Sequence, residues 1–222
     1  MIVIKIGGHL LFQDNEIRVD YLRELLGVLR SLASREKILV VVGGGVAARN
    51  YIGAGRRLSI PEAELDIIGI RVSRLNAALL HAAYYSMPPT VPENLEEAAR
   101  LLGVFNPVFM GGLQPGQSTT TVAALAAEAL QARLYIATSV KGIYSEDPRK
   151  NPHARFFREI AIEDLKKMFS RPSGAGGYAM LDPLTLGIIE RSRIQTIVFK
   201  GDPPSNIERA VEKGDIGTLV TF

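Results

Sequence analysis

The sequence has no cysteine among its 222 residues. This absence excludes a disulfide framework, thiol catalysis and cysteine-ligated metal sites. No apolar run approaches the roughly 18 residues of a membrane-spanning helix, and no signal-peptide pattern is present, so we expect a soluble, cytoplasmic protein with no membrane partner. Lys and Arg exceed Asp and Glu by only 26 − 23 = 3, without any long basic run. Such diffuse charge does not predict a nucleic-acid partner.

Two common phosphate-binding motifs, GxGxxG and GxxxxGK[ST], are also missing. The sequence instead has glycines after each of three apolar runs, at Gly7-Gly8, Gly43 to Gly45 and Gly111-Gly112. A strand followed by glycines and a helix presents backbone N–H groups that attract anions, and parallel strands end at one shared edge of the sheet. Glycines can also serve only the tight packing of a helix on a sheet. Their repetition favours a phosphate site.

The longest of these stretches runs from Val108 to Glu128. After Gly111-Gly112 it continues as the turn Gln114-Pro115-Gly116, then four hydroxyl residues, Ser118 to Thr121, and an alanine-rich helical run. Neutral hydroxyl donors and free N–H groups at a helix start are typical of a phosphate or carboxylate site. A well-capped helix after a loop is the alternative, and the stretch alone does not decide between them.

Individual polar residues give weaker indications. Lys5 lies inside a predicted core strand, where its ammonium group either reaches the surface or points at an anion. Tyr144 and Asp147 lie in a polar loop, where they could stack on a base and hold a hydroxyl or a Mg²⁺-bound water, or belong to a plain surface hairpin.

Alternating strand and helix patterns predict an α/β fold, with a mostly parallel sheet covered on both faces by helices. The last strand, Gly217 to Phe222, is predicted at the edge of the sheet, and the glycine-rich stretch 170–178 is predicted to be a mobile loop. No repeat or linker is evident. We therefore expect one domain, residues 1–222, with two lobes of roughly 1–130 and 131–222.

Taken together, the motifs resemble the amino acid kinase family, and more closely its archaeal-type uridylate (UMP) kinases. The resemblance spans essentially the whole chain in the same order. Its most specific pieces are Leu65-Asp66-Ile67-Ile68-Gly69-Ile70 and Gly112-Leu113-Gln114-Pro115-Gly116-Gln117-Ser118-Thr119, and the others are residues 5–8, 43–52, 74–77, 142–148 and 181–184.

The resemblance implies a three-layer αβα sandwich that transfers the γ-phosphoryl group of ATP to UMP, with Mg²⁺ bound to the nucleotide rather than to a protein metal site, and a homohexamer built as a trimer of dimers. The implied UMP contacts are Gly44, Asp66, Leu113, Gln114, Pro115, Gly116, Gln117, Ser118 and Thr119. The implied ATP contacts are Gly8, His9, Gly45, Arg49, Thr138, Ser139, Tyr144 and Asp147. Lys5 would act on the transferred phosphoryl group, and Asp182 would orient a cationic group or the Mg²⁺ shell. The first lobe would hold the phosphate acceptor and the second ATP.

Four positions depart from the common family pattern: His9, Thr120, Ser139 and Lys141. Thr120 stands where many relatives carry Asp, so that acid cannot act here. Lys141 is interpreted as added positive charge near the ATP phosphates. Two alternatives stay open: a kinase of the same fold acting on carbamate, an acylamino acid or an isoprenoid phosphate, and a nucleotide-binding sensor or storage protein that has lost turnover. The sequence does not decide the response to UTP or GTP or the preference for UMP over CMP or dUMP.

Overall fold

A computed structural model describes residues 1–169 and 181–222. Within these residues, seven strands form one sheet in the order β5-β4-β1-β6-β8-β9-β7, and β2 and β3 form a separate hairpin. The strands are β1 (Ile2–Ile6), β2 (Phe12–Gln13), β3 (Glu16–Ile17), β4 (Ile38–Val42), β5 (Val108–Met110), β6 (Arg133–Thr138), β7 (Glu159–Ala161), β8 (Thr196–Lys200) and β9 (Thr218–Thr221).

Helices connect most of the strands, as the sequence pattern predicts. The helices are α1 (Val19–Ala33), α2 (Gly45–Arg57), α3 (Glu62–Tyr85), α4 (Leu95–Leu101), α5 (Thr119–Ala129), α6 (Ile162–Phe169), α7 (Pro183–Arg191) and α8 (Ser205–Glu212), with a short 3₁₀ helix at Gly8–Leu11. The alternation is not strict, because three helices in succession, α2 to α4, lie between β4 and β5. None of the helices in the described residues is both long enough and apolar enough to span a membrane.

Two apolar cores lie on opposite faces of the sheet, because successive side chains of a strand point to opposite faces. Ile2, Ile4 and Ile6 of β1 pack with α1, α3 and α8, whereas Val3 packs with α4, α5, α6 and α7. This arrangement confirms the predicted three-layer αβα fold. By the same alternation, Lys5 lies on the face of β1 that α5 covers.

The central position of β1 brings the glycine-rich loops to one edge of the sheet. β1 pairs in parallel with β4 and β6, and β4 pairs in parallel with β5. Parallel neighbours end at the same edge. The loops that follow β1, β4 and β5 therefore lie side by side, as the sequence predicts.

The prediction for the last strand was wrong. β9 lies inside the sheet, antiparallel to β8 and parallel to β7, so β7 is the edge strand. The sequence does not predict β7, because this strand has only three residues, of which only Ile160 is buried. The predicted mobile loop at 170–178 lies outside the described residues.

Candidate active site

The glycines after β1 and β4 let two backbone loops touch. A methyl group built on Gly8 would lie 2.2 Å from the Gly45 nitrogen and 2.5 Å from the Gly43 oxygen. A methyl group on Gly43 would lie 3.4 Å from Oγ1 of Thr119, at the start of α5. Side chains at Gly8 or Gly43 would therefore separate the loops. Their absence brings two helix starts, those of α2 and α5, to the same point on the sheet edge.

Lys5 supplies a cation at this point. Among residues 1–169 and 181–222 it has no hydrogen-bond or ion-pair partner. Burial lowers the pKa of its ammonium group from 10.5 to about 8. Lys5 is partly buried, and a lysine in such a place without a carboxylate partner is costly, a cost that an anionic ligand would remove.

His9 lies in the same cluster of charge. Burial first, and then the positive charges of Lys5, Arg49 and Arg149, lower its pKa to about 4. The imidazole is therefore neutral near pH 7. Its Nε2 atom is buried and has no hydrogen-bond partner in the described residues. Cations and an unpaired nitrogen around one point fit a polyanion such as a nucleotide phosphate chain.

The predicted UMP residues from Leu113 to Thr119 form the connection between β5 and α5. Ser118 caps α5, accepting a hydrogen bond at its Oγ from the Thr121 backbone N–H at 3.0 Å. Asp66, an exposed residue of α3, accepts a hydrogen bond from the Gly116 backbone N–H at 2.8 Å. The structure thus joins Asp66 to this loop, as expected if both face one ligand.

Asp182 lies between the first turns of α5 and α7. Its carboxylate caps α7 through the Thr185 backbone N–H at 2.8 Å, and it accepts hydrogen bonds from the hydroxyls of Ser118, Thr121 and Thr185. Burial alone would raise its pKa, but these hydrogen bonds together lower it. The carboxylate therefore stays ionised and ties the two helix starts together.

The predicted ATP residues on the β6 side are more dispersed. Thr138 ends β6 and is buried, whereas Ser139 is exposed. The Tyr144 ring packs against Phe156, with ring centroids 5.4 Å apart. The Asp147 carboxylate accepts three hydrogen bonds from Arg149, each 3.0 Å long. The positive charge of Arg149, which helps to lower the pKa of His9, connects this loop to the glycine cluster.

Sequence reasoning did not assign roles to several residues that hold the site. On α3, Ser73 and Asn76 are buried and contact the backbone after β5 and β4, and Arg74 contacts the same β5 loop. Thr121 and Thr185 complete the contacts of Asp182. The sequence feature that could have indicated these roles is the pair Ser73 and Asn76, two polar residues three positions apart on an otherwise apolar side of the helix.

The described part of the chain contains no group of three His, Cys, Asp or Glu side chains that could hold a metal ion. The two carboxylates predicted near the nucleotide already have protein partners. Asp147 pairs with Arg149, and Asp182 accepts hydrogen bonds from hydroxyl and backbone N–H groups. These residues do not fit a protein-built Mg²⁺ cage.

Comparison with known proteins shows which family this chain belongs to. The model of the Amino acid kinase family matches residues 1–200. The chain belongs to the amino acid kinase family. The match confirms the family predicted from the motifs.

Family members named uridylate kinase are among the similar proteins. One from Thermofilum pendens is 51% identical over 213 residues, covering 94% of this chain and 92% of its own. Another, from Methanothermobacter thermautotrophicus, is 44% identical and covers 99% of this chain and 98% of its own. The crystal structure of uridylate kinase from Archaeoglobus fulgidus superposes with a TM-score of 0.87 at 38% identity, covering 100% of both chains. The predicted resemblance to archaeal-type uridylate kinases is thereby confirmed.

Proposed function

We propose that this amino acid kinase is a UMP kinase. It transfers the γ-phosphoryl group of ATP to UMP and produces UDP and ADP, a step of pyrimidine nucleotide biosynthesis. The observation that carries the proposal is the partly buried ammonium group of Lys5, which has no partner within residues 1–169 and 181–222 and lies at the edge where the three glycine loops meet. The identity with uridylate kinases over nearly the full chain supports the choice of acceptor.

The UMP side of the site is assigned to Gly44, Asp66 and the connection from Leu113 to Thr119. Asp66 accepts hydrogen bonds from the ribose hydroxyls, as an ionised carboxylate does well. Asp66 also accepts a hydrogen bond from the Gly116 N–H, which ties α3 to the loop that holds the rest of the proposed UMP contacts.

The ATP side is assigned to Gly8, His9, Gly45, Arg49, Thr138, Ser139, Tyr144 and Asp147. The phosphate chain lies over the N-terminus of α2, where free N–H groups and Arg49 offset its charge. Neutral His9 donates or accepts a single hydrogen bond. Tyr144 and Asp147 bound the nucleoside end. The lobe of residues 131–222 then contributes mainly to ATP and the lobe of residues 1–130 mainly to UMP.

The reaction needs little covalent participation by the protein. An oxygen of the UMP phosphate attacks the γ-phosphorus, the bond from that phosphorus to the β–γ bridging oxygen breaks, and ADP leaves. Catalysis consists of alignment and of stabilising the charge on the transferred group. Lys5 contacts the transferred phosphoryl group. Asp182 holds the start of α5 in position beside that group.

Mg²⁺ enters with ATP in this proposal. Magnesium commonly keeps several waters and binds phosphate oxygens with few protein ligands.

We also propose that the chain assembles as a homohexamer, a trimer of dimers, in the cytoplasm, where both substrates are available. The apolar side chains that α3 leaves exposed, Leu75 and Leu79, support self-association. No further partner is invoked.

The test is an assay in which purified protein, ATP and Mg²⁺ are offered UMP, CMP, AMP, carbamate or isopentenyl phosphate separately, and the products are resolved by chromatography. We expect rapid formation of UDP from UMP. Lys5→Ala removes the charge on the transferred group and should lower kcat by about 10²-fold or more. Asp66→Ala should mainly raise the KM for UMP.

Other outcomes would replace the proposal. Turnover of carbamate or isopentenyl phosphate, without UDP, would keep the fold and change the acceptor. Binding of ATP and UMP by calorimetry without any product would favour a nucleotide sensor.

A further inference from the structure

Helix α3 contacts the glycine loops through side chains that the proposed ligand sets do not include. The Asn76 amide nitrogen donates hydrogen bonds to the carbonyl oxygens of Gly43, at 2.9 Å, and Gly44, at 3.3 Å. Asn76 is only 6% exposed. One buried amide group therefore holds two consecutive peptide planes of the loop after β4, the second of them together with the Ala48 N–H, which also donates to the Gly44 carbonyl at 3.3 Å.

The same helix fixes the loop after β5. Ser73 donates from its Oγ to the Ile70 carbonyl at 2.7 Å and accepts from the Gly112 N–H at 2.8 Å. Arg74 donates from Nε to the Gly112 carbonyl at 3.0 Å and pairs with Glu93 at 2.9 Å. Both polar groups of Gly112 are thus held from α3.

These contacts determine where the neighbouring N–H groups point. In a planar trans peptide the carbonyl and the following N–H point in opposite directions, and the cis peptide bonds in the described residues lie elsewhere, before Pro107 and Pro203. Holding the Gly43 and Gly44 carbonyls towards α3 turns the Gly44 and Gly45 N–H groups away from α3. Holding the Gly112 carbonyl does the same for the Leu113 N–H.

The backbone conformation after β4 supports an anion cradle. Gly44 is right-handed, with φ −75° and ψ −22°, and Gly45 has a positive φ of 67°. Consecutive residues of opposite hand form a concave nest of N–H groups that binds anions. Asn76 holds the carbonyls on the outer side of that nest.

We infer that Asn76 is a positioning residue for phosphoryl transfer: it aims the Gly44 and Gly45 N–H groups at the phosphates of the two substrates, while Arg74 aims the Leu113 N–H at UMP. This inference rests on the proposed UMP kinase function. It assigns to α3 the alignment of both substrates by one rigid element, without a contact between Asn76 and either ligand.

The main test is Asn76→Asp, which keeps the size of the side chain but replaces the amide donor by an oxygen that repels the two carbonyls. Misaimed N–H donors weaken stabilisation of the transition state, and one such donor typically contributes about 10²–10³ in kcat. We expect kcat for UDP formation to fall by about 10²-fold, with the KM values for ATP and UMP changing much less. A kcat within about twofold of the unchanged protein would overturn the inference.

Asn206→Asp is the matched control. The Asn206 amide likewise donates to two backbone carbonyls, those of Lys200 at 3.0 Å and Asp202 at 3.3 Å, at the end of another strand. It should lower the melting temperature and leave kcat unchanged. Equal losses of kcat in the two variants would mean that Asn76 is only structural, which would also overturn the inference.

Arg74→Leu provides a second arm that does not depend on Asn76→Asp folding, because Arg74 is partly exposed. We expect a rise of about tenfold in the KM for UMP with an unchanged KM for ATP. Unchanged KM values for both substrates would contradict the role of Arg74. Absence of UDP with the unsubstituted protein would instead contradict the proposed function, so the two failures are distinguishable.

Discussion

Lys5 is the residue whose titration should be visible in the reaction. Its pKa is lowered to about 8 by burial, so the free enzyme loses this charge as the pH rises through about 8. We expect kcat/KM for ATP, measured from pH 6 to 10, to decline above about pH 8. Lys5→Arg, whose guanidinium stays charged, should lower the rate but remove this decline.

Lys37→Arg is the control, since Lys37 contacts the Leu102 carbonyl, far from the glycine loops in the sheet. It should retain the decline. A decline that persists in Lys5→Arg would assign it to another group. The lowered pKa of Lys5 also fixes the direction in which this residue changes the free energy of unfolding with pH. Between about pH 8 and 10.5 the unfolded chain binds more protons at Lys5 than the folded chain, so this residue's contribution to stability becomes more favourable as the pH rises.

Among single residues, the sequence predicted those whose role can be recognised from their immediate neighbours in the chain. Lys5 inside an apolar run beside glycines, and Ser118 before an alanine-rich run, are recognisable from their neighbours, because strand burial and helix capping act over a few residues. The contacts of Asn76 with Gly43 and of Asp182 with Thr121 span 33 and 61 positions. No local pattern encodes such distances, so these roles required the structure.

Among the elements, α5 and α7 are joined by one carboxylate. Asp182→Ala removes the cap of α7, which costs about 0.5–2 kcal/mol. It also removes the acceptor shared by the buried hydroxyls of Thr121 and Thr185, which among the described residues keep only their hydrogen bonds to each other and to Ser118, at a further cost of about 1–3 kcal/mol. We expect a clear fall in the free energy of unfolding measured with denaturant.

Asn94→Ala is the matched comparison, because Asn94 caps α4 through the Glu97 N–H at 2.8 Å and spans no second helix. It should cost only the capping contribution. Equal losses in the two variants would show that Asp182 acts as an ordinary cap. We also expect Asp182→Ala, but not Asn94→Ala, to change the KM for UMP, since Ser118 at the start of α5 loses a partner.

Most element types could be predicted because their apolar periods are distinct. The prediction of β1 and β4 matched the observed bounds, Ile2–Ile6 and Ile38–Val42, since continuous β-branched runs ended by glycines leave little ambiguity. The short elements β7 and α6 were missed. With three and eight residues, β7 and α6 are too short for the apolar period of a strand or of a helix to distinguish them from a loop.

At the scale of the whole molecule, the exposed apolar face of α3 predicts self-association. Leu75 is 68% exposed and Leu79 40%, and Leu79 borders a groove of about 440 Å³ between α1 and α3. Apolar side chains grouped in this way favour contact with another copy. We expect the paired change Leu75→Glu and Leu79→Glu to reduce the molar mass measured by light scattering after size exclusion.

Val104→Glu is the control, because Val104 is 77% exposed but lies in the turn after α4, away from this groove. It should leave the molar mass unchanged. A monomeric unsubstituted protein, or an assembly indifferent to the α3 changes, would contradict the proposed use of this face.

The central place of β1 in the sheet also has a consequence for synthesis on the ribosome. Ile2 pairs with Ile38 of β4 on one side and with Arg133 of β6 on the other. Because translation adds about 5–20 residues per second, Arg133 is synthesised several seconds or more after Ile38. During that time one side of β1, a strand that is apolar apart from Lys5, offers its hydrogen-bonding groups to any other chain. Early docking of α1 covers only a face, so a nascent chain stalled before residue 133 is the form most exposed to aggregation and most in need of a chaperone.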